Sequence, residues 1–475
     1  MSASLHLALP ASNPTFGHRS PDGGIWDQES EKAPPLHRES GLGSDMTAKY
    51  DAMLDQMVKD YSLVTNGYAG SAPANPYPMF EEKRAKCPVA HGDLLQENSI
   101  PSMADYMMTG RPVVTLYRYN DIHSVLMNPD DWQSHIVGDG FGAAVDNLLL
   151  TAMDGEQHTK YRKTLQKPFM RSQIRKLMDT LIRPVVVNEF VNQLRPNGKA
   201  DLLREFALPF PIRAMYAYFG FPHNEDLLGN LASWAIQVVA APQTDPEVAK
   251  ITIPQSMVAG QSMYETVLPI VQQYRERGEM RNDILGYMMT TEHEGEKFSD
   301  EDIANFIRML LLAAGETTTR SFANMMVQLL EYPDVLEEVR QDRSLVPKAV
   351  METMRRDPTA GAVARIAARD LEVGDMTIPK GTAVLCSIAS ANRDPEVYED
   401  PDRLWLKRPM RPLLSFGFGP HMCMGMHMAL TEMEVALEEI LELPNLRFDP
   451  DYPKPEIRGL NMRGPDALHV LWDAD

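Results

Sequence analysis

The chain has 475 residues, with 46 Lys plus Arg against 66 Asp plus Glu, and a formal charge of −20 at pH 7. Apolar residues make up 44% of it and the mean hydropathy is −0.30, the balance of a globular protein with a sizeable core. No apolar run approaches the roughly 18–20 residues that span a bilayer, and the acid excess argues against broad nucleic-acid binding. The expectation is a soluble, cytoplasmic protein with no membrane anchor and no nucleic-acid partner.

Residues 1–45 alternate Ser, Pro, Gly, His and charge without a period, so they are predicted to be a tail that buries too little to offset its ordering entropy. The patch Leu5–Pro10 within it is too short for a signal core and has no basic residue before it. From residue 46 to 475 there is neither repeat nor Gly/Ser-rich linker, and one large unit is predicted. About 430 residues exceed the usual domain size of roughly 50–250, which calls for a central organiser such as a cofactor. Three cysteines occur, Cys87, Cys386 and Cys423. They exclude a disulfide scaffold and leave a thiol for metal or redox chemistry.

Further along, Asp154-Gly155-Glu156-Gln157-His158-Thr159-Lys160-Tyr161-Arg162 places His158 and Arg162 four apart, on one helical face. Residues 159–178 then hold Lys160, Arg162, Lys163, Lys167, Arg171, Arg175 and Lys176 and no acid. In so acidic a chain this is either a solvated face or a docking surface. From Asp300 to Glu331 a single helix is predicted, with Ser299 and Asp302 placed as a capping box and Pro333 beyond its end. Its middle is apolar all round, yet Glu316 and Thr317-Thr318-Thr319 sit there. Such a local inconsistency marks a functional site. Strand-like pieces are few: Arg365–Ala368, Leu371–Val373, Thr382–Ile388 and Ala467–Leu471. The fold class read from this pattern is mainly α with a small β portion.

The most informative stretch is Phe416-Gly417-Phe418-Gly419-Pro420-His421-Met422-Cys423-Met424-Gly425. Its glycines allow a loop to fold close to something flat and bulky. Cys423 stands before the apolar helix that starts at Met426, where backbone N–H groups favour the thiolate needed for metal ligation. The segment resembles the haem-ligand loop of the cytochrome P450 family, Phe-Gly-x-Gly-x-His-x-Cys-x-Gly, at every fixed position. By composition a chance match is on the order of one in a million. Glu352-Thr353-Met354-Arg355 with Pro358 is similar to the family's E-x-x-R-x-x-P, and Asp400-Pro401-Asp402-Arg403 follows it in order. Ala313-Ala314-Gly315-Glu316-Thr317-Thr318 is similar to Ala-Gly-x-Asp/Glu-Thr-Thr, with Ala314 where glycine is usual. A register shifted by one, starting at Ala314-Gly315, loses the acid beside the alcohol.

The resemblance covers about residues 65–475, including Asn392-Arg393-Asp394-Pro395 and Arg463-Gly464-Pro465, and implies a single large P450 fold holding heme b (iron protoporphyrin IX). It implies Cys423 as the iron ligand, with Phe416 and Gly425 beside the haem. His158 and Arg162 would meet one propionate, Arg365 and His421 the other. Arg403 would join Glu352 and Arg355 in a buried ion-pair network bracing the loop. Glu316 and Thr317 would deliver protons to bound O2, an alcohol holding the hydrogen bond while the carboxylate relays from water. The implied activity is monooxygenation, hydroxylating a hydrophobic small-molecule substrate of terpenoid, steroid or alkyl-aromatic type. Its electrons would come from a separate ferredoxin or flavoprotein electron donor. Substrate contacts would come from Ile136–Met153, Trp234–Ala241 and Thr359–Ala364. A haem-thiolate gas or redox sensor, or a peroxide-dependent haem protein, shares Cys423 without needing the relay. A zinc site from Cys87, His91, His421 and Cys423 leaves the glycines without a role.

Overall fold

The computed structural model describes residues 44–106, 109–138, 149–221, 224–278 and 283–474, all within the unit Pro35–Asp475. The predicted tail lies almost wholly outside the described residues. So does the middle of the predicted substrate loop, 139–148.

Helices dominate, and one organises the rest. The helix Asp300–Glu331 runs 32 residues, opened by a capping box in which Ser299 and Asp302 satisfy each other's backbone N–H groups. It ends where Pro333 forbids continuation. At about 1.5 Å per residue it crosses roughly 48 Å, and helices Glu225–Val239, Pro246–Arg277, Pro209–Phe219 and Val346–Arg356 pack around it. Predicted and observed limits of this helix coincide.

A five-stranded sheet stands to one side, in the spatial order Val89–His91, Val113–Leu116, Ala383–Ser387, Ala362–Ala367, Trp132–Gln133. Its central pair, 113–116 with 383–387, is parallel and the other pairs are antiparallel. The strands at 362–367 and 383–387 match the sequence reading to within three residues. Val89–His91 and Val113–Leu116 are too short to show a period before pairing. The register Val384↔Arg365 fixes the height at which Arg365 leaves the sheet. The strand that carries Arg365 is reached through a tight approach. A Cβ at Gly361 would lie 1.9 Å from the Leu460 carbonyl oxygen.

Gly361→Ala should therefore destabilise the fold by about 2–3 kcal/mol, since backbone rather than a flexible side chain must give way. Thermal unfolding checks it: a melting temperature within a degree of the parent would mean that the approach relaxes freely.

Candidate active site

The loop before the helix Met426–Ile440 is built from its backbone. Gly417 and Gly419 adopt φ of +68° and +69°, and a Cβ at Gly419 would meet the Leu126 carbonyl at 2.5 Å. Gly417 N–H donates to Leu414 O at 2.8 Å and Cys423 N–H to Phe416 O at 2.8 Å. These two bonds curl Phe416 and Cys423 toward each other. No side chain caps the helix after Gly425. Met426 N–H donates to Cys423 O at 3.4 Å, and the N–H groups of Gly425 and Met426 lie near enough to the Cys423 sulfur to act on its charge. Burial raises the thiol's pKa, while those two N–H groups and the Arg162 guanidinium pull it down. Cys423 is solvent-accessible, although protein atoms surround its sulfur closely enough to raise the thiol's pKa. A Cβ at Gly425 would meet nothing within 4 Å, which leaves room for a flat partner there.

Four cationic or protonatable side chains gather near this loop. Arg162, on the helix Gly155–Leu165, donates to Met422 O at 2.6 Å and so grips the residue before the cysteine. His158, one turn earlier, is 4% exposed and stacks on His421 with ring centroids 4.0 Å apart. Arg365 is buried and donates to Ala364 O at 2.7 Å. Burial, reinforced by Arg365 and His158, pushes the His421 pKa down to about 3, leaving a neutral ring. His158 is lowered by burial and then by Arg162. The nearest acid, Asp154, already accepts from the N–H groups of Ser134 and His135. The Nε2 atoms of both His158 and His421 are buried without a hydrogen-bond partner. Orphaned donors beside two arginines form a pocket suited to carboxylate groups.

The bracing of the loop departs from expectation in one residue. Glu352 and Arg355, on the helix Val346–Arg356, form a bidentate pair at 2.8 and 2.9 Å. The third member is Arg408, whose Nε donates to Glu352 at 3.0 Å. Arg403 is exposed and lies over the Trp405 ring. Only its backbone carbonyl takes part, accepting from Arg408 at 3.0 Å. The turn at Asp400, with φ of +44°, carries the Arg403 side chain outward and returns the chain at Arg408. From Arg355 the network reaches Asn392 O at 2.8 Å. Asn392 then holds Leu414 N–H at 2.9 Å and the Ser415 hydroxyl at 2.8 Å. Asn392 and Arg408 are the functional residues that sequence reasoning missed. Asn392 lies in Asn392-Arg393-Asp394-Pro395, where an uncharged amide gives no local sign of its distant partners.

On the central helix, Ala313 is exposed and Leu312, Ala314 and Thr317 are half-buried, although the helix is otherwise enclosed over most of its length. Thr317 thus lies on the accessible stretch of the helix, its hydroxyl donating to Ala313 O at 2.8 Å. Glu316, about 100° around the helix, is buried against Arg320 at 2.5 Å. The structure thus does not turn both relay residues to the same side.

The cytochrome P450 family model matches residues 255–465, which take in the central helix, the Glu352–Arg355 helix and the cysteine loop. Pulcherriminic acid synthase of Bacillus subtilis is 28% identical over 435 residues, covering 88% of this chain and 100% of that protein. The cytochrome P450 monooxygenase PikC of Streptomyces venezuelae is 29% identical over 418 residues, covering 84% and 91%. Among solved structures, the P450 enzyme CYP109B1 from Bacillus subtilis superposes with a TM-score of 0.71 at 26% identity, covering 84% of this chain and 99% of that one. The chain belongs to the cytochrome P450 family. It is an oxidoreductase of the P450 monooxygenase class, and P450 proteins bind haem.

The residues present fit that group. A lone thiol at a helix start, glycines that keep side chains out of its way and a cationic pocket nearby match an iron porphyrin with two carboxylates. The zinc alternative finds no support. Cys87 follows a helix end and His91 lies in a strand. Among the described residues, no three His, Cys, Asp or Glu side chains gather as a metal site. No described helix is long and apolar enough to cross a membrane.

Arg408→Ala is expected to cost about 3 kcal/mol, because Glu352 loses one buried partner, whereas Arg403→Ala should stay within about 0.5 kcal/mol. Denaturant unfolding of the two variants decides between the arginines, and equal losses would remove the distinction.

Proposed function

We propose that Cys423 ligates the iron of haem b and that the protein hydroxylates a hydrophobic organic substrate with O2 and externally supplied electrons. The observation that carries this is the placing of Cys423 just before the helix Met426–Ile440, in a glycine loop closed by its own N–H on Phe416 O at 2.8 Å. Haem bound through a thiolate supplies dioxygen activation and an oxidant strong enough for a C–H bond. The chain's own residues supply the rest. Arg162 and the two N–H groups offset the cost of burying a sulfur anion. His158, Arg162, Arg365 and His421 hold the two propionates, whose charge would satisfy the orphaned imidazole nitrogens. Phe416 and Gly425 shape the sides of the haem seat. Thr317 would hold the hydrogen bond at the reacting site, and Glu316, which faces Arg320 on another side of the helix, would relay protons to it through water.

The described parts of the substrate side are small or apolar. Ala362 and Ala364 are buried and Val363 half-buried. Most of Trp234–Ala241 is buried, with Trp234 half-exposed. No acid or base among them demands a charged ligand, and a terpenoid, steroid or alkyl-aromatic compound suits such walls. Lys163, Lys167, Arg171 and Arg175 are exposed, while Lys160 is already paired with Glu156 and Glu294. Arg171 and Arg175 lie close enough to His427 and Glu434, on the helix after the cysteine, to act on their charges. An acidic ferredoxin or flavoprotein would meet this face.

Reduced protein under carbon monoxide should show the red-shifted absorption of a thiolate-ligated haem, and Cys423→Ser should abolish it. Retention of that band in the serine variant would end the proposal. Substrate-dependent consumption of O2 with product formation separates an oxygenase from a sensor sharing the same ligand. Neutralising Lys163, Lys167 and Arg171 together should slow reduction by an acidic donor roughly tenfold or more at low salt, and flatten its dependence on ionic strength. Stopped-flow reduction with an unchanged rate and salt slope would dismiss the docking face.

A further inference from the structure

One turn beyond Thr317 the central helix carries Arg320, with no exposed surface. Its Nε and Nη2 donate to one oxygen of Glu316, Oε1, at 3.0 and 2.5 Å. The other oxygen, Oε2, is buried and has no hydrogen-bond partner. The remaining contacts of the guanidinium come from the N-terminal helix Ser44–Ala69. Nη1 donates to the Thr65 hydroxyl at 3.0 Å, Nη2 lies 3.4 Å from Tyr61 O, and the Tyr61 ring stands 4.0 Å beneath it. Tyr61 in turn donates to Pro465 O at 3.1 Å. A Cβ at Gly464 would press on both Tyr61 and Arg320, at 2.8 and 3.2 Å. The arginine is clamped between its own helix and two segments distant in sequence.

We propose that Arg320 is a positioning residue for proton delivery: it pins one oxygen of Glu316, leaves the other free to exchange a proton, and is itself held by Tyr61 and Thr65. This rests on the relay role assigned to Glu316 and Thr317 above. In the step, Glu316 Oε2 passes one proton toward Thr317 and takes one back from solvent water, with no electrons exchanged. A carboxylic acid buried in apolar surroundings keeps its proton, and a cation against one oxygen restores the ease of losing it. Burial does raise the Glu316 pKa, and Arg320 opposes that rise. The other ionisable groups around this pair are Tyr61 and Tyr68 on the N-terminal helix and Asp466 beyond Gly464. None of these carries a positive charge, so the arginine alone performs this task among them. A purely structural ion pair would hold the helices together without setting when the acid releases its proton.

The test is an infrared pH titration of the ferric holoenzyme, with the carboxyl band of Glu316 identified by its loss in Glu316→Gln. In Arg320→Gln the midpoint should rise by at least about one pH unit, with a smaller rise in Arg320→Lys. In turnover, Arg320→Gln should lose about tenfold or more in the fraction of electrons recovered as product, and hydrogen peroxide used as oxidant should restore product formation. Thr65→Val loosens the arginine without removing charge and should shift the midpoint in the same direction by less. It carries the test together with Arg320→Lys should Arg320→Gln fail to bind haem. An unmoved midpoint in the folded variants overturns the proposal, as does normal coupling in Arg320→Gln. Normal coupling in Glu316→Gln overturns the relay itself, an outcome distinct from failure of the arginine alone.

Discussion

A sulfur anion inside a protein is costly, and the proposed ligation of iron by Cys423 requires one to be kept in place. Burial pushes the Cys423 thiol toward its neutral form, and the opposing forces are the N–H groups of Gly425 and Met426 and the charge of Arg162. Backbone dipoles serve this purpose well because they are fixed by the helix and need no reorganisation. They act only if the loop delivers the sulfur to the helix start, which is why two glycines with left-handed φ precede it. Arg162 does two things at once, since the guanidinium that stabilises the sulfur also holds Met422 O.

The loop's position is imposed from outside through a chain of polar contacts. Glu352 joins Arg355 and Arg408, Arg355 reaches Asn392, and Asn392 holds Leu414 and Ser415 immediately before Phe416. A buried ion pair is a poor source of net stability. Its directional bonds define a geometry more sharply than apolar packing does, and that is what the proposed metal-binding loop requires. The same logic appears on the central helix, where Arg320 fixes Glu316 in one orientation. In both places an arginine supplies several donors in one plane.

Much of the site was legible before folding, for a local reason. The cysteine loop, the helix after it and the helix Asp300–Glu331 are contiguous, so their glycines, caps and periods declare them in order. Arg403 against Arg408 shows where this reading stops. Both are arginines a few residues past Pro401, and only the turn at Asp400 decides which one points inward. Glu316 and Thr317 show it again. Adjacency in sequence suggested one shared task, while the helix turns the acid toward Arg320 and leaves the alcohol on its accessible stretch.

By itself the sequence determined the helical fold class, the limits of the central helix, the ligand cysteine candidate and the family resemblance, because each depends on neighbours along the chain. Only the tertiary structure decided that Arg408 closes the ion-pair network, that Asn392 transmits it to the loop, and that the N-terminal helix clamps Arg320. Those contacts join residues as many as 259 positions apart. Such pairings arise from packing, and no local pattern of residue types encodes which distant partner a buried charge will find.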